Sequence, residues 1–201
     1  MPKIVDHEQR RSELAAAVWR LASRDGLEAV TLRAVSAEAG WSTGALNHYF
    51  SDKEKLLLFA FQIVADRSGR RIAAALEEGR SGDGPALRTL VAEMLPLDAE
   101  RRAEVRVWFA FLGLALTRPV LAAAQRDAYR VCRALTTEMV REAQKRGEID
   151  PEVDAEVEAT QLVAFADGLA VQATFEPRAF PPARQLEILD ERLAVLMPHA
   201  A

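Results

Sequence analysis

The sequence predicts an all-α protein of about nine helices. Apolar residues recur with the 3.6-residue period of a helix along almost the whole chain. No run of β-branched or aromatic residues alternates for long enough to form a strand. Glycine and proline separate the helical segments, at Gly26, Gly40, 81–85 (SGDGP), 146–151 (RGEIDP) and 176–182 (EPRAFPP).

Composition indicates a protein that folds around one or two apolar cores. Half of the 201 residues are hydrophobic, which is enough for a sizeable core. Cys132 is the only cysteine, so no intramolecular disulfide can form and we expect a cytoplasmic protein. Charged residues interrupt every apolar run before it reaches the ~20 residues that span a bilayer, so no membrane association is expected.

Charge is distributed unevenly along the chain. The formal net charge is −4, but residues 1–71 hold eleven basic and nine acidic residues, and the remainder holds fifteen basic and twenty-one acidic ones. The small basic excess of the first third is compatible with a nucleic-acid partner without demonstrating one. Whether the chain binds nucleic acid has to be judged from the arrangement of individual residues.

Capping residues define four helices in the first third of the chain. Thr31 and Ser42 each precede a helical pattern and suit the N-cap, and Gly40 suits a helix end. The sequence 51–54 (SDKE) has the form of a capping box that opens a long fourth helix. The predicted short helices cover 7–24, with an apolar stripe of Leu14, Ala17, Val18, Leu21 and Ala22, then 32–39 and 43–49.

The second and third helices have the layout of a helix-turn-helix, in which two short helices joined by a tight glycine-containing turn place the second in the DNA major groove. Steps of 100° per residue put Leu46, Tyr49 and Phe50 on one side of the third helix. The residues on the other side are Thr43, Gly44, Asn47 and His48.

Such a polar face can simply be solvated, and three details favour DNA instead. An exposed helical Gly44 costs ~1 kcal/mol relative to alanine, which is easier to understand if another surface approaches closely. Asn47 has a side chain that can read adenine. Lys53 and Lys55 lie at the start of the fourth helix, where a phosphate could be held.

The stretch 31–57, TLRAVSAEAGWSTGALNHYFSDKEKLL, resembles the N-terminal domain of TetR-family transcriptional regulators. The resemblance covers about residues 8–60. The third helix ends in Asn47-His48-Tyr49-Phe50, where the family commonly has Tyr-x-His-Phe, and this variant resembles the branch of choline and betaine repressors. Asn47 stands where many members carry an aromatic phosphate contact.

The resemblance implies a set of DNA contacts. His48 could equally be a neutral surface histidine, and the Tyr49 ring should pack on the core while its hydroxyl points outward. The implied DNA-binding residues are Thr31, Arg33, Ser42, Thr43, Gly44, Asn47, His48, Tyr49 and Lys53.

The region beyond residue 60 is expected to bind a small-molecule effector, because the resembling family commonly has an inducer pocket there. Segment 105–116 (VRVWFAFLGLAL) is apolar nearly all round, as in a central buried helix. The aromatic residues could line a pocket or fill a core. The candidate pocket residues are Phe61, Trp108, Phe109, Phe111, Tyr129, Gln161 and Phe165.

The last two helical patterns are expected to form a dimer interface. An apolar stripe very near the chain end seldom finds enough core in its own subunit. Asp167 could be solvent-facing or ligand-facing, and Gly168 favours helix packing. The candidate interface residues are Gly168, Leu186, Leu189, Leu193 and Leu196.

These observations predict a helix-turn-helix DNA-binding domain over 1–52 and an effector-binding and dimerisation domain over 53–201. The expected function is a homodimeric DNA-binding regulator, a repressor by family analogy, that binds double-stranded DNA and an effector. The alternative is a helical ligand-binding or protein-interaction module without DNA recognition. No acid-base pair, metal cluster or activated nucleophile indicates an enzyme or a cofactor, and Cys132 is expected to be a core residue.

Overall fold

A computed structural model describes residues 7–79 and 86–198. Within these ranges every element of regular secondary structure is a helix, as predicted, and the predicted break at 81–85 lies outside them. A short 3-10 helix follows the first helix at Leu27–Ala29. The nine α-helices of the described ranges are α1 (His7–Asp25), α2 (Leu32–Ala39), α3 (Thr43–Asn47), α4 (Lys53–Gly79), α5 (Ala86–Glu93), α6 (Ala99–Ala115), α7 (Pro119–Lys145), α8 (Ala155–Phe175) and α9 (Pro182–Leu196).

The local signals located α1 and α2 within one residue, but two predicted details near α3 and α4 were wrong. Helix α3 ends at Asn47 rather than at residue 49. The fourth helix is capped by Asp52 and not by Ser51: Asp52 Oδ1 accepts a hydrogen bond from the backbone N–H of Lys55 at 2.9 Å. Ser51 instead donates its hydroxyl to Asp52, because a carboxylate nearest the exposed amides is the better cap.

The chain divides into two compact units. Unit 1 contains the residues up to Asp66 together with Arg106–Gln125, and unit 2 contains Arg67–Val105 and Arg126–Ala201. Helices α4, α6 and α7 therefore each contribute residues to both units. None of the helices in the described ranges combines the length and the hydropathy needed to cross a membrane.

The core of unit 1 contains the predicted stripe of α1. It is completed by Val35 of α2, Leu46 of α3 and Leu57 of α4, all of them buried. Arg20 of α1 donates to Glu38 of α2 at 2.7 Å, and this hydrogen bond lowers the pKa of Glu38. The stripe residues Leu14, Ala17, Val18, Leu21 and Ala22 are all at most 5% exposed.

The core of unit 2 corrects one expectation about the last helix. Leu189, Leu193 and Leu196 of α9 belong to one buried cluster with residues of α5 and α8, and Leu186 packs partly buried against it. The apolar stripe of α9 is therefore covered by its own chain, so the premise that it needs a second subunit was wrong. Sequence periodicity identifies an apolar face but not the element that covers it.

A polar network holds α4, α5 and α6 together within unit 2. Glu104, which is 3% exposed, accepts two hydrogen bonds from Arg71 at 2.9 and 2.6 Å and a third from Ser68. Arg71 also pairs with Glu93, and Glu93 pairs with Arg101. These charge-assisted hydrogen bonds offset part of the cost of burying the Glu104 side chain.

Truncation of the α9 stripe should therefore affect folding. Leu189→Ala removes a side chain that is 0% exposed and should lower the free energy of unfolding by about 2–5 kcal/mol, the usual range for a buried leucine. Chemical denaturation measures this change. The control is Val195→Ala on the same helix, which is 81% exposed and should change stability by less than about 0.5 kcal/mol. Equal losses in the two variants would contradict this packing.

Candidate functional site

A tight turn between α2 and α3 fixes the orientation of α3. Gly40 ends α2 with a left-handed φ of 70°, a conformation that glycine adopts without strain. The N–H of Trp41 then returns to the carbonyl of Ser36 at 2.9 Å. Ser42 caps α3 by accepting from the N–H of Ala45 at 3.2 Å. Both short helices thus begin with the predicted side-chain caps, Thr31 and Ser42.

Burial separates the two sides of α3 as predicted. Leu46 is 0% and Phe50 is 6% exposed, so this side anchors the helix in unit 1. A Cβ added to Gly44 would meet only the Ser42 hydroxyl, at 4.0 Å, so packing within the chain does not require glycine there. The residues on the outer side are all exposed: Ser42, Thr43, Gly44, Asn47 and His48.

Exposed side chains at the starts of α2 and α4 extend this polar face. Thr31 and Arg33 are exposed at the first turn of α2, and Lys53 and Lys55 at the first turn of α4. The backbone N–H of Lys55 is already bonded to Asp52, whose pKa this bond lowers. This N–H is therefore not available to a phosphate, whereas the two exposed lysine side chains are.

A cation–π contact adds a residue that the sequence pattern did not indicate. The Trp41 and Tyr49 rings lie 5.7 Å apart, and the guanidinium of Arg10 lies over Trp41 at 5.6 Å from its centroid. This places an exposed cation of α1 beside the turn that leads into α3. The only sequence signal for Arg10 was a basic pair with Arg11 in the first turns of a helix.

The candidate effector residues of unit 1 form an aromatic stack. Phe61 of α4 lies against Phe111 of α6 with ring centroids 4.0 Å apart and an angle of 16° between the planes. Trp108 is the next ring, 5.1 Å from Phe61. Phe109, its neighbour in sequence, is half-buried. Stacked rings at these distances stabilise the α4–α6 contact of unit 1.

The candidate effector residues of unit 2 differ in burial and in contacts. Tyr129 of α7 donates its hydroxyl to Asp167 of α8 at 2.7 Å, and Phe165 packs against the buried cluster of this unit. Gln161 is exposed, so its assignment to an interior pocket wall was wrong. Gln161 lies on the exposed face of α8, whereas Leu162 lies on the buried face. Periodicity could not tell the buried face from the exposed one, because α8 carries apolar residues on both.

Asp167 and Cys132 are polar groups in a largely apolar setting. Burial raises the pKa of Asp167, although the Tyr129 hydrogen bond opposes the shift. Burial also raises the pKa of Cys132 to about 11, so this thiol stays protonated at neutral pH and is a poor nucleophile. In the part of the chain that the structure describes, no group of three or more metal-ligating side chains comes together.

Helix α3 is buried on its apolar side and exposed on its polar side, and the exposed cations Arg33, Lys53 and Lys55 lie on neighbouring helices. This arrangement is that of a helix-turn-helix DNA-binding protein. Comparison with known families gives the same answer over two segments of the chain. Residues 14–59 match the family of bacterial regulatory proteins of the tetR type. Residues 85–198 match the C-terminal domain of BetI-type transcriptional repressors. The chain therefore belongs to the TetR family of transcriptional regulators and is not an enzyme.

Individual relatives agree with this assignment. The transcriptional regulator PksA of Bacillus subtilis is 34% identical over 178 residues, covering 88% of this chain and 84% of the relative. The regulator BetI of Paraburkholderia phymatum is 27% identical over the full length of both chains. A transcriptional regulator of Saccharomonospora viridis, solved in complex with choline, superposes with a TM-score of 0.79 at 25% identity, covering 92% of this chain and 95% of that one.

The roles of Asn47 and Lys53 can be separated by salt dependence. Asn47 faces outward on α3 and should reach base edges, so Asn47→Ala should cost about 1–3 kcal/mol on the cognate site and relax preference at one base position. Lys53 should meet only phosphate. Lys53→Ala should weaken all sequences alike and reduce the magnitude of the log-salt slope by about 1 for each lysine–phosphate pair that the substitution removes.

The measurement is a salt titration of both variants on cognate and scrambled duplexes. Gln62→Ala, an exposed position farther along α4, serves as the control and should change neither quantity. Equal weakening of both duplexes by Asn47→Ala would make Asn47 a backbone contact and would move sequence reading to Thr43, Gly44 and Arg33.

Proposed function

We propose that the protein is a homodimeric transcriptional repressor that a small-molecule effector releases from a pseudo-palindromic operator. The observation that carries the proposal is an exposed apolar face on α8. Val157, Val171 and Phe175 are 52%, 39% and 79% exposed. The exposed α8 stripe comprises Val157, Gln161, Ala164, Gly168, Val171 and Phe175, at alternating spacings of four and three residues.

The opposite face of α8 is already buried in unit 2, through residues such as Leu162, Ala166 and Leu169. A helix that is apolar all round is stable only when both faces are covered, and the four–three spacing suits a partner helix at a small crossing angle. A Cβ on Gly168 would meet nothing within 4 Å, so its small size is not required by its own chain. A second copy of α8 would use it.

The proposed dimer pairs the α8 stripes of two subunits, with the α9 helices flanking them in a four-helix bundle. This revises the interface expected from the sequence, since Leu189, Leu193 and Leu196 are internal and Gly168 remains. Two-fold symmetry then presents two α3 helices to DNA. The operator should consist of two related half-sites about one helical turn apart, or a multiple of it.

Contacts within unit 1 support communication between an effector and the DNA-binding helices. Helix α4 begins at Lys53 beside the polar face, and its Phe61 stacks on Phe111 of α6. Arg106 of α6 donates to the carbonyl of Ser23 near the end of α1 at 3.1 Å. A ligand that shifts α6 would therefore act on α1 and α4 together. The choline complex of the Saccharomonospora viridis relative supports a small-molecule effector for this chain.

A charge in the α8 stripe should prevent dimerisation. Val171→Glu places a carboxylate in an apolar contact, and it should weaken self-association at least tenfold because burying an unpaired charge is strongly unfavourable. Analytical ultracentrifugation measures the association. Val131→Glu on α7, where valine is 69% exposed, adds the same charge outside the stripe and should remain dimeric. A Val171→Glu dimer of unchanged affinity would place the interface elsewhere.

An effector should lower operator affinity by about 5–150-fold, the usual range of allosteric coupling. Thermal-shift screening of metabolites, starting with choline, identifies binders, and gel shifts with DNA from upstream of the gene measure release. Arg106→Ala should keep the thermal shift but reduce the release, because it removes the α6–α1 bond. Arg102→Ala, an exposed arginine one turn earlier, should leave both intact. A ligand that stabilises the protein without changing DNA affinity would contradict the coupling.

A further inference from the structure

Two buried side chains of unit 1, Ser36 of α2 and Gln125 of α7, carry polar atoms without a hydrogen-bond partner, and Gln125 has two such atoms. Gln125 of α7 is 5% exposed, and neither its Oε1 nor its Nε2 has a hydrogen-bond partner. A carboxamide offers two donor hydrogens and an acceptor oxygen. Burying these groups unpaired opposes folding, and native proteins seldom leave them so. The position therefore requires an explanation other than stability.

The other buried side chains of α4, α6 and α7 in unit 1 offer this amide no partner. Apart from Gln125, every buried side chain that α4, α6 and α7 contribute to unit 1 is a hydrocarbon. Leu121, one turn earlier on the same face of α7, is 0% exposed. The other buried side chains of these three helices in unit 1 are Leu56, Leu57, Ala60, Phe61, Ile63, Val64, Val107, Phe111 and Ala115.

A second glutamine shows what a structural role looks like in the same chain. Gln185 of α9 is 2% exposed, and its Nε2 donates to the carbonyl of Phe180 at 2.9 Å. That bond holds the start of α9 in unit 2. The Oε1 of Gln185 has no partner either, but Gln125 lacks even the Nε2 bond, so the two residues differ in role despite their similar burial.

We propose that Gln125 is an effector-recognition residue, which pairs with a ligand group that both accepts and donates a hydrogen bond. The proposal rests on the proposed function, since it specifies the chemistry of that effector. A primary carboxamide or an alcohol on an otherwise apolar molecule can satisfy the amide, and its apolar part suits the hydrocarbon side chains that these three helices bury in unit 1. A quaternary ammonium centre has neither a donor hydrogen nor an acceptor, so a ligand such as choline could pair with Gln125 only through its hydroxyl group.

The first test compares the two buried glutamines without ligand. Gln125→Met replaces an unpaired amide by an apolar side chain of similar length and should raise the melting temperature by about 2–4 °C. Gln185→Met removes a formed hydrogen bond and should lower it. A lower melting temperature for Gln125→Met would show that the amide is paired in the free protein and would overturn the proposal.

The second test observes the amide itself by NMR of the ¹⁵N-labelled full-length protein. The spectrum of Gln125→Met identifies the Gln125 Nε2 signals by their absence. The probes are benzamide and benzyl alcohol, with benzyltrimethylammonium as the matched probe that lacks both a donor and an acceptor. We expect the first two, at millimolar concentration, to shift the Gln125 signals and the third to leave them in place. Gln125→Met should bind benzamide about tenfold more weakly, which corresponds to the removal of one hydrogen bond.

In the second test, three results would overturn the proposal. They are equal affinity of benzamide for wild type and Gln125→Met, no shift of the Gln125 signals with any of the probes, and a cross-peak from Nε2 to a long-lived water that persists with benzamide present. The last result would make Gln125 the site of a structural water. None of these measurements involves DNA. Failure here is therefore distinct from failure of the proposed function, which the gel shifts with upstream DNA would reveal.

Discussion

The burial of Leu46 is the contact on which the DNA-binding surface depends. Helix α3 has five residues, far fewer than the ~12–15 that an isolated helix needs for even marginal stability in water. Its conformation is therefore imposed by tertiary packing, through Leu46 and the neighbouring Phe50, and by the Ser42 cap. Since this one side of α3 is fixed in the core of unit 1, the other side has to face outward. The polar residues of that side are therefore exposed without any further stabilising interaction.

Helix α8 illustrates a different constraint, because its two faces are apolar for different reasons. The face with Leu162 and Leu169 completes the core of unit 2. The face with Val171 and Phe175 is exposed and has no counterpart within its own chain. Two small residues, Ala164 and Gly168, lie in the middle of that exposed stripe, where close approach of a second helix would be needed. A single helix can thus support folding on one side and, in the proposed dimer, assembly on the other.

Local signals in the sequence located the helices of the DNA-binding region. They did not predict which helices pack against each other. Thr31 and Ser42 cap the helices they were predicted to cap, because capping depends on residues only three apart. The apolar stripe of α9 was recognised, but its partner was misidentified, because periodicity carries no information on what lies opposite.

A sequence pattern cannot choose between two adjacent capping residues, and it cannot show contacts between residues that are distant in the chain. Asp52 and Ser51 competed for the same cap, and only geometry distinguishes them. The stacking of Arg10 on Trp41 and the missing partners of Gln125 arise from packing across many residues, and no local pattern encodes them. The same limit applies to Gln161, which lies on the exposed face of a helix that is apolar on both sides.

The energies of the two α4–α6 contacts indicate where the proposed effector could act. In unit 2, Arg71 and Glu104 form a largely buried ion pair, and removing one partner of such a pair costs about 3–5 kcal/mol. In unit 1, the same helices are joined by the stack of Phe61 on Phe111, and such an aromatic pair contributes about 0.5–1.5 kcal/mol beyond the burial of its area. Allosteric coupling amounts to about 1–3 kcal/mol. An effector of that strength could shift the aromatic contact but could not break the ion pair. The response should therefore be concentrated in unit 1, which also holds the Arg106–Ser23 bond and the DNA-binding helices.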